Sequence, residues 1–479
     1  MEIKKLKNYV YELDKTGLMN IAPRIYANDE IISTLREEEK NKNSSLKQLE
    51  NVSTLPGLVG AVCLADVHPG YGAPIGTTTA SDLNEGVITF AATGFDINCG
   101  IHSLIVPLTS KEIQSKKKEL AEQLFKDVPA GVGIGGKLEL NKSEMDNVLE
   151  KGAAYAVTKG FGKKKDLEFM EENGCIKGAD PKSVSDKAKE RAVDQIGTLG
   201  SGNHYCEVQE IEKIFDCAAA KAFGLDAGET FVSIHCGSRA LGHQIGNDYL
   251  PILDSAVKKY KINIPERALV CAPIESEEGQ KYFSAIKAGT NAAFANRFVI
   301  GTLVKRTFAK IFGINENSIK TFYDIGHNTA KIEKHFCAGE KQDLLIQRKG
   351  STRGFGPNNL DVPLLYRKLG QPVIVGGSMG TNSFILKGTD KAMKETFGST
   401  IHGAGRSMSR TQALTGQSGE DLLKDLAAKG ILVKARSVKG LSEEAPSAYK
   451  DILGVVEVMH KAGISTKVAK LKPIICIKG

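Results

Sequence analysis

No apolar run of about 18 residues occurs in this 479-residue chain, which argues against a membrane-spanning helix. The N-terminal stretch MEIKKLKNYVYELDKTG lacks the apolar segment of a secretory signal, so a cytoplasmic protein is expected. Cysteine is scattered rather than paired. The nine residues Cys63, Cys99, Cys175, Cys206, Cys217, Cys236, Cys271, Cys337 and Cys476 are odd in number and include no CxxC. That pattern argues against a disulfide framework and against a zinc ribbon. Tandem repeats and low-complexity linkers are absent too. The charge excess is small, +8, which suits a polyanionic partner such as a nucleic acid but equally suits many enzymes without one.

What is present is glycine, 50 residues of it, concentrated in short polar runs that also hold histidine. Only nine histidines occur, and four of them lie in GSGNHYCEV (Gly200–Val208), SIHCGSRALG (Ser233–Gly242), YDIGHNTAKIE (Tyr323–Glu333) and STIHGAGRSMSR (Ser399–Arg410). A fifth run, ATGFDINCG (Ala92–Gly100), sets Asp96 three residues before Cys99. Loops that present imidazole, carboxylate and thiolate beside bare backbone are where metal and phosphate chemistry is commonly built.

The pattern along the chain predicts a mixed α/β protein with a β-rich core and peripheral helical insertions. It is read as one domain over 1–479. Residues 1–55 form an N-terminal embellishment, with a charged helix over Asp29–Asn51, and residues 110–195 form a lysine-rich helical insertion. Thr109–Lys126 has helical apolar spacing behind a Thr/Ser cap. Glu277–Phe312 reads as a long helix broken around Gly289, and the chain closes on an apolar strand, LKPIICIKG. The GVGIGG run at Gly131–Gly136 matches a dinucleotide fingerprint and, with Lys137, a P-loop. Both motifs need a preceding strand, and Leu138 stands where a P-loop requires Ser or Thr. The lysine runs Lys116–Lys118 and Lys163–Lys165 read first as solvated helix faces. His68 reads as a turn residue, and His243, His335 and His460 as bystanders.

Asp96, Cys99, His204, His235 and His327 offer one hard oxygen, one thiolate and three imidazoles. Five donors exceed a tetrahedral set and a thiolate can bridge, so two ions are expected. The donor types alone leave zinc, manganese and iron open. A second group pairs Gly376-Gly377-Ser378-Met379-Gly380-Thr381 with His402-Gly403-Ala404-Gly405-Arg406. Lys349, Arg353, Arg239 and Arg410 are its candidate cations. Small residues with free amides beside guanidinium suit a phosphate, and a loop histidine can carry a phosphoryl or nucleotidyl group.

Together ADVHPGYGAPIG, GFDINCG, GTLGSGNHYCEVQ, HCGSRALG, GHNTAKIE, RKGSTRG, GSMGT, HGAGRSMSR and the terminal KPIICIKG resemble the RtcB family of RNA ligases, in the family's order and across nearly all of the chain beyond residue 55. Departures occur at AATG before Phe95, IHSL after Gly100, the first Gly of GGSMGT, and Cys236 and Ala240. The resemblance implies the family's distinctive α/β fold and two Mn²⁺ ions on Asp96, Cys99, His204, His235 and His327, with Cys99 as bridge. It implies that His402 becomes guanylylated by GTP and that Asp66 is required for activity. Asn203, Glu207, Asn328, Ser383, Tyr449 and Lys478 match guanylate-site positions. The loops Gly376, Ser378, Met379 and Gly403, Ala404, Gly405, Arg406 are expected to hold the phosphates.

The activity so implied joins an RNA 3′-phosphate or 2′,3′-cyclic phosphate to a 5′-hydroxyl, in tRNA splicing or RNA repair, and leaves room for an activator such as an archease. The KxDG lysine motif of classical ligases is absent. Two other classes compete. One is an RNA-end-binding protein without catalysis, against which His402 and Cys99 stand. The other is a metal-dependent phosphoesterase, which would need no GTP.

Overall fold

Two antiparallel-rich sheets hold the glycine-punctuated segments together. The computed structural model describes residues 1–131, 133–337 and 339–479, with every side chain there except that of Lys439. The first sheet has the strand order Ile3–Lys7, Val10–Leu13, Arg24–Tyr26, Leu58–His68, Ile75–Asp82, Glu340–Lys349, Asn328–Cys337. The second runs Lys320–Gly326, Gly100–Thr109, Glu229–Cys236, Tyr205–Ile214, Ser465–Lys478, Ser383–Gly388, Pro372–Val375, and Leu432–Ala435 pairs in parallel with the terminal strand. This is the mixed α/β fold expected from the sequence. The apolar C-terminal run is a central strand, buried along most of its length.

The N-terminal segment is less separate than "embellishment" suggests, because its three strands extend the first sheet through Arg24–Tyr26 against Leu58–His68. The single helix expected over Asp29–Asn51 is two, Asp29–Glu38 and Ser45–Val52. Ser44 stops continuity: its side chain accepts from the Lys47 amide and so starts a new helix. Thr109 caps as expected, through a capping box with Glu112.

The helix Glu277–Phe312 runs unbroken for 36 residues. Ser276 caps its N-terminus, Glu277 and Glu278 face the positive end of the helix dipole, and Gly313 closes it at φ +68°. Gly289 is no breaker. A Cβ there would meet Ile97 at 3.1 Å and Ile245 at 3.4 Å, so glycine lets the helix lie close to the loop that carries Asp96 and Cys99. Buried on nearly all sides between Thr290 and Val304, the helix is the spine of the largest core. Burying Phe294, Phe298 or Val304 stabilises by about 1.5–3 kcal/mol each.

Segment 110–195 is helical, and its side chains Leu120, Leu124, Met145, Val148 and Leu149 complete the core around this spine. The GVGIGG run follows the helix Lys117–Asp127 and is followed by turns up to Asn141, so neither nucleotide motif has its required context; Val132 within it lies outside the described residues. Among the described residues no helix is long and apolar enough to cross a membrane.

Candidate active site

Strand register assembles the site. Gly100 pairs with Cys236 on one side and with Gly326 on the other, and Tyr205 pairs with His235. The residues at or just beyond these pairs are Cys99, His235, His327 and His204. Four adjacent strands therefore deliver four potential ligands to one sheet edge, and Asp96 arrives on the Cys99 turn.

Cys99 Sγ lies 3.5 Å from His204 Nε2 and 3.3 Å from His235 Nε2. His235 Nε2 is 3.3 Å from His327 Nε2, and His204 Nε2 is 2.9 Å from Asp96 Oδ2. Two triads result, Cys99–His235–His327 and Asp96–Cys99–His204, each with its donor atoms within 4.8 Å of one another, and Cys99 belongs to both. His235 Nδ1 sits 3.1 Å from the Asn203 carbonyl, so its N–H donates there and Nε2 turns a lone pair toward Cys99 and His327. Lone pairs converging in a buried site fit a cation between them.

The protonation of His235 and His327 matches that fit, whereas His204 must release its proton to bind an ion. Burial, reinforced by neighbouring imidazoles, holds His235 and His327 well below the ordinary histidine value, so both are neutral as ligands must be. Burial would lower His204 also, but Cys236, Cys99 and Asp96 hold it well above. Burial opposes ionisation of Asp96, yet the His204 charge brings its carboxyl down to about 2. Burial and the Asp96 charge push the Cys99 thiol up to about 12, a cost that a bound divalent ion reverses.

A buried ion network fixes the turn. Arg297, fully buried, donates to both Asp324 oxygens, to the Asn98 carbonyl at 2.5 Å and to the Cys236 carbonyl at 2.9 Å. Asn98 is held at φ +51° directly before Cys99, and Cys236 directly follows His235. His102 completes the network, with Nδ1 3.0 Å from Asp324. Of the IHSL departure, His102, Ser103 and Leu104 thus lie in the core, whereas Ile101 lines the cleft.

His402 follows the strand Ser399–Ile401 and lies beside the Cys99–His235–His327 triad, its ring 4.8 Å from that of His327. Asp66, fully buried on the strand Leu58–His68, accepts from the His402 backbone N–H at 2.8 Å and from Nδ1–H at 2.6 Å. Nε2 is left as the nitrogen with the free lone pair. Gly405 makes this approach possible: at φ +73°, a Cβ would fall 2.1 Å from the Asp66 carbonyl.

One cleft of about 790 Å³ gathers Asp96, Cys99, Asn203, His235, His327, Asn328, Gly376, Ser378, Met379, His402, Gly403, Ala404, Gly405, Arg406, Tyr449 and Lys478. Four expected site residues stand behind its wall: Asp66, His204, Glu207 and Ser383. Glu207 accepts from Gln209 Nε2 at 2.6 Å, which also donates to Ser383; Ser383 in turn accepts from the Gly377 amide at 3.1 Å. Burial pushes the Glu207 carboxyl up to about 8.

The amides expected to be free are partly occupied: Ser378 N–H donates to Thr381 Oγ1 at 2.8 Å and Ala404 N–H to the Gly376 carbonyl at 3.2 Å. Positive charge comes instead from Arg406, Arg410 and Lys478 on the cleft; Lys349 also lines it, but burial pushes its amine down to about 7. Arg353 is not among them. It is buried against Glu171 at 3.1 Å and Glu172 at 3.2 Å, a structural pair that the sequence did not reveal. Arg239 donates to Thr198 at 3.2 Å, outside the cleft lining. His335 pairs with Glu333 beside Arg348 in the core, whereas His68 lines the cleft.

Sequence reading also missed Glu444, which the Tyr449 hydroxyl and Arg406 both contact, and Tyr205, whose buried hydroxyl has no hydrogen-bond partner among the described residues.

The family model described as "tRNA-splicing ligase RtcB" matches residues 48–479. The chain is 45% identical to the tRNA-splicing ligase RtcB of Archaeoglobus fulgidus, over 100% of this chain and 99% of that protein. It is 44% identical to the protein of the same description from Thermococcus kodakarensis, over 100% and 98%. The corresponding protein of Methanococcus maripaludis is 44% identical over 99% and 98%. On this evidence the chain belongs to the RtcB family of tRNA-splicing ligases.

Proposed function

We propose that this protein is a GTP- and Mn²⁺-dependent RNA ligase of the cytoplasm that joins a 3′-phosphate or 2′,3′-cyclic phosphate end to a 5′-hydroxyl. Its substrates are tRNA halves or broken RNA, and an activator such as an archease is a candidate partner. One observation carries the reading: His402 has Nδ1 tied to a buried carboxylate and its ring 4.8 Å from a histidine of a metal-type triad.

In this reading His402 Nε2 attacks the α-phosphorus of GTP, forming a P–N bond as pyrophosphate leaves. Asp66 keeps the proton on Nδ1 and stabilises the positive charge that develops on the ring, the role a carboxylate plays behind a nucleophilic or basic histidine. The GMP passes to the RNA 3′-phosphate, restoring His402. The 5′-hydroxyl oxygen then attacks the activated phosphorus, forming the phosphodiester and expelling GMP. A cyclic phosphate end is first opened to the 3′-phosphate. Asp96, Cys99, His204, His235 and His327 would hold two Mn²⁺ ions with Cys99 shared, and bound ions would neutralise charge on the attacking and leaving oxygens. Asn203, Asn328, Tyr449 and Lys478 would bind the nucleotide from the cleft wall, with Glu207 and Ser383 supporting it from behind. The loops Gly376–Met379 and Gly403–Arg406 would border its phosphates.

The test follows the phosphorus. An RNA radiolabelled in its 3′-phosphate is incubated with a 5′-hydroxyl RNA, GTP and Mn²⁺. Label inside the joined product, protected from phosphatase, supports the reading. A requirement for a 5′-phosphate and 3′-hydroxyl, or joining on ATP alone, rejects it.

A further inference from the structure

A second pocket lies at the opposite end of the strands that build the cleft. Along Lys320–Gly326, Thr321 stands six residues before His327, about 20 Å in extended chain. Beside Thr321 opens a pocket of about 410 Å³, within the size range of ligand sites. Its floor is apolar: Ile105, Phe169, Phe223, Ile319 and Tyr366. Its five lysines, Lys163, Lys165, Lys221, Lys305 and Lys320, face two carboxylates, Asp166 and Glu316. Lys305 and Asp166 neutralise one another at 3.0 Å and are both buried. Four exposed lysines therefore surround an apolar floor with one carboxylate, Glu316, among them.

The rim adds an unusual feature. Leu365 lines the pocket and is 56% exposed, and Leu364 and Leu360 beside it in the chain are 78% and 79% exposed. Grouped leucines in water next to an apolar pocket mark a contact surface. RNA fits this surface poorly. Base stacking needs open aromatic faces, yet Phe223 and Tyr366 are each only 2% exposed and pack edge-on at 5.1 Å. The Tyr366 hydroxyl is also committed to the Phe322 carbonyl. Aliphatic side chains with flanking carboxylates match the floor, the leucines and the lysines together.

We propose that this pocket docks an acidic, amphipathic segment of a partner protein. Apolar side chains of that segment enter over Phe169 and Leu365, and its carboxylates meet Lys163, Lys165, Lys221 and Lys320. None of these residues belongs to the catalytic cleft, so docking leaves the nucleotide site accessible.

The test uses the full chain and three fluorescent probes. Two are synthetic helical peptides with leucines on one face and either glutamates or lysines on the other; the third is a single-stranded RNA oligonucleotide. The glutamate peptide should bind, and added salt should weaken it. Binding should fall by about tenfold or more in Lys163→Glu/Lys320→Glu and also in Leu365→Asp. GTP labelling of both variants should match the parent, which shows that they fold and keeps this result separate from the proposed catalysis. Equal binding of both peptides, or an unchanged affinity in Leu365→Asp, would overturn the proposal. So would RNA binding that depends on Lys163 and Lys320 while the glutamate peptide fails to bind.

Discussion

The Asp66 carboxylate accepts twice from one residue, His402, taking the backbone N–H at 2.8 Å and Nδ1–H at 2.6 Å. A single buried oxygen, Oδ2, thus sets both the position of the loop and the tautomer of the ring. Asp66→Asn keeps an oxygen able to accept both bonds but removes the negative charge that holds the proton on Nδ1 and balances charge developing on the ring. The expected outcome is a folded protein whose rate of GMP attachment falls by about 10²-fold or more, by analogy with tautomer-fixing carboxylates elsewhere. Single-turnover kinetics with circular dichroism as a fold control measures this.

Cys99 is shared by two triads, whereas His204 and His327 each belong to one. Cys99→Ala should weaken both ions, while His204→Ala and His327→Ala should each weaken one and leave the other measurable. Cys236→Ala should be milder, because its sulfur stands outside both triads and hydrogen-bonds with Asn296 and the Thr198 and Leu199 carbonyls, although it also acts on the charge of His204. Calorimetric titration with Mn²⁺ resolves these cases. Two full-affinity ions in Cys99→Ala would rule out a shared thiolate.

This cluster of potential ligands was legible in the sequence because strand ends carrying glycine next to His, Cys or Asp have few structural reasons to recur. The network behind them was not. Arg297 reads as an ordinary helix charge and Asp324 as an ordinary strand residue, and nothing local shows that the two meet in the core. Arg353 failed for the same reason in reverse: a basic residue near a glycine loop resembles a phosphate ligand until Glu171 and Glu172 are seen beside it. The split at Ser44 and the unbroken helix through Gly289 were misjudged because a cap needs only one side-chain acceptor, and a helical glycine can answer a packing demand from a distant loop.

Asp324→Asn should leave Arg297 as an uncompensated buried charge. Loss of about 3–5 kcal/mol in urea denaturation is expected, with weakened Mn²⁺ binding, since Arg297 also holds the Asn98 and Cys236 carbonyls. Stability within about 0.5 kcal/mol of the parent would remove the network from the account.

Lys349 supplies a pH signature. Burial pushes its amine down to about 7, against about 10.4 in an unfolded chain. Between these values the unfolded state binds the extra proton, so this group makes stability rise with pH, and its full penalty is present below about pH 7. Lys349→Met also strands the Tyr71 and Ala73 carbonyls, a cost independent of pH. The difference in melting temperature between variant and parent should therefore shift in favour of the variant as pH falls from about 10 to about 6. A difference that stays constant over that range would show Lys349 to be charged throughout, as it is in the unfolded chain.

The covalent role of His402 is the most direct point of test. The protein is incubated with Mn²⁺ and GTP radiolabelled at the α-phosphorus, denatured, and digested to locate any retained label. The account predicts an acid-labile, alkali-stable label on the peptide containing His402, abolished in a folded His402→Ala variant. Label that persists undiminished in His402→Ala, or no protein-bound label in an enzyme that still joins RNA ends, would contradict it.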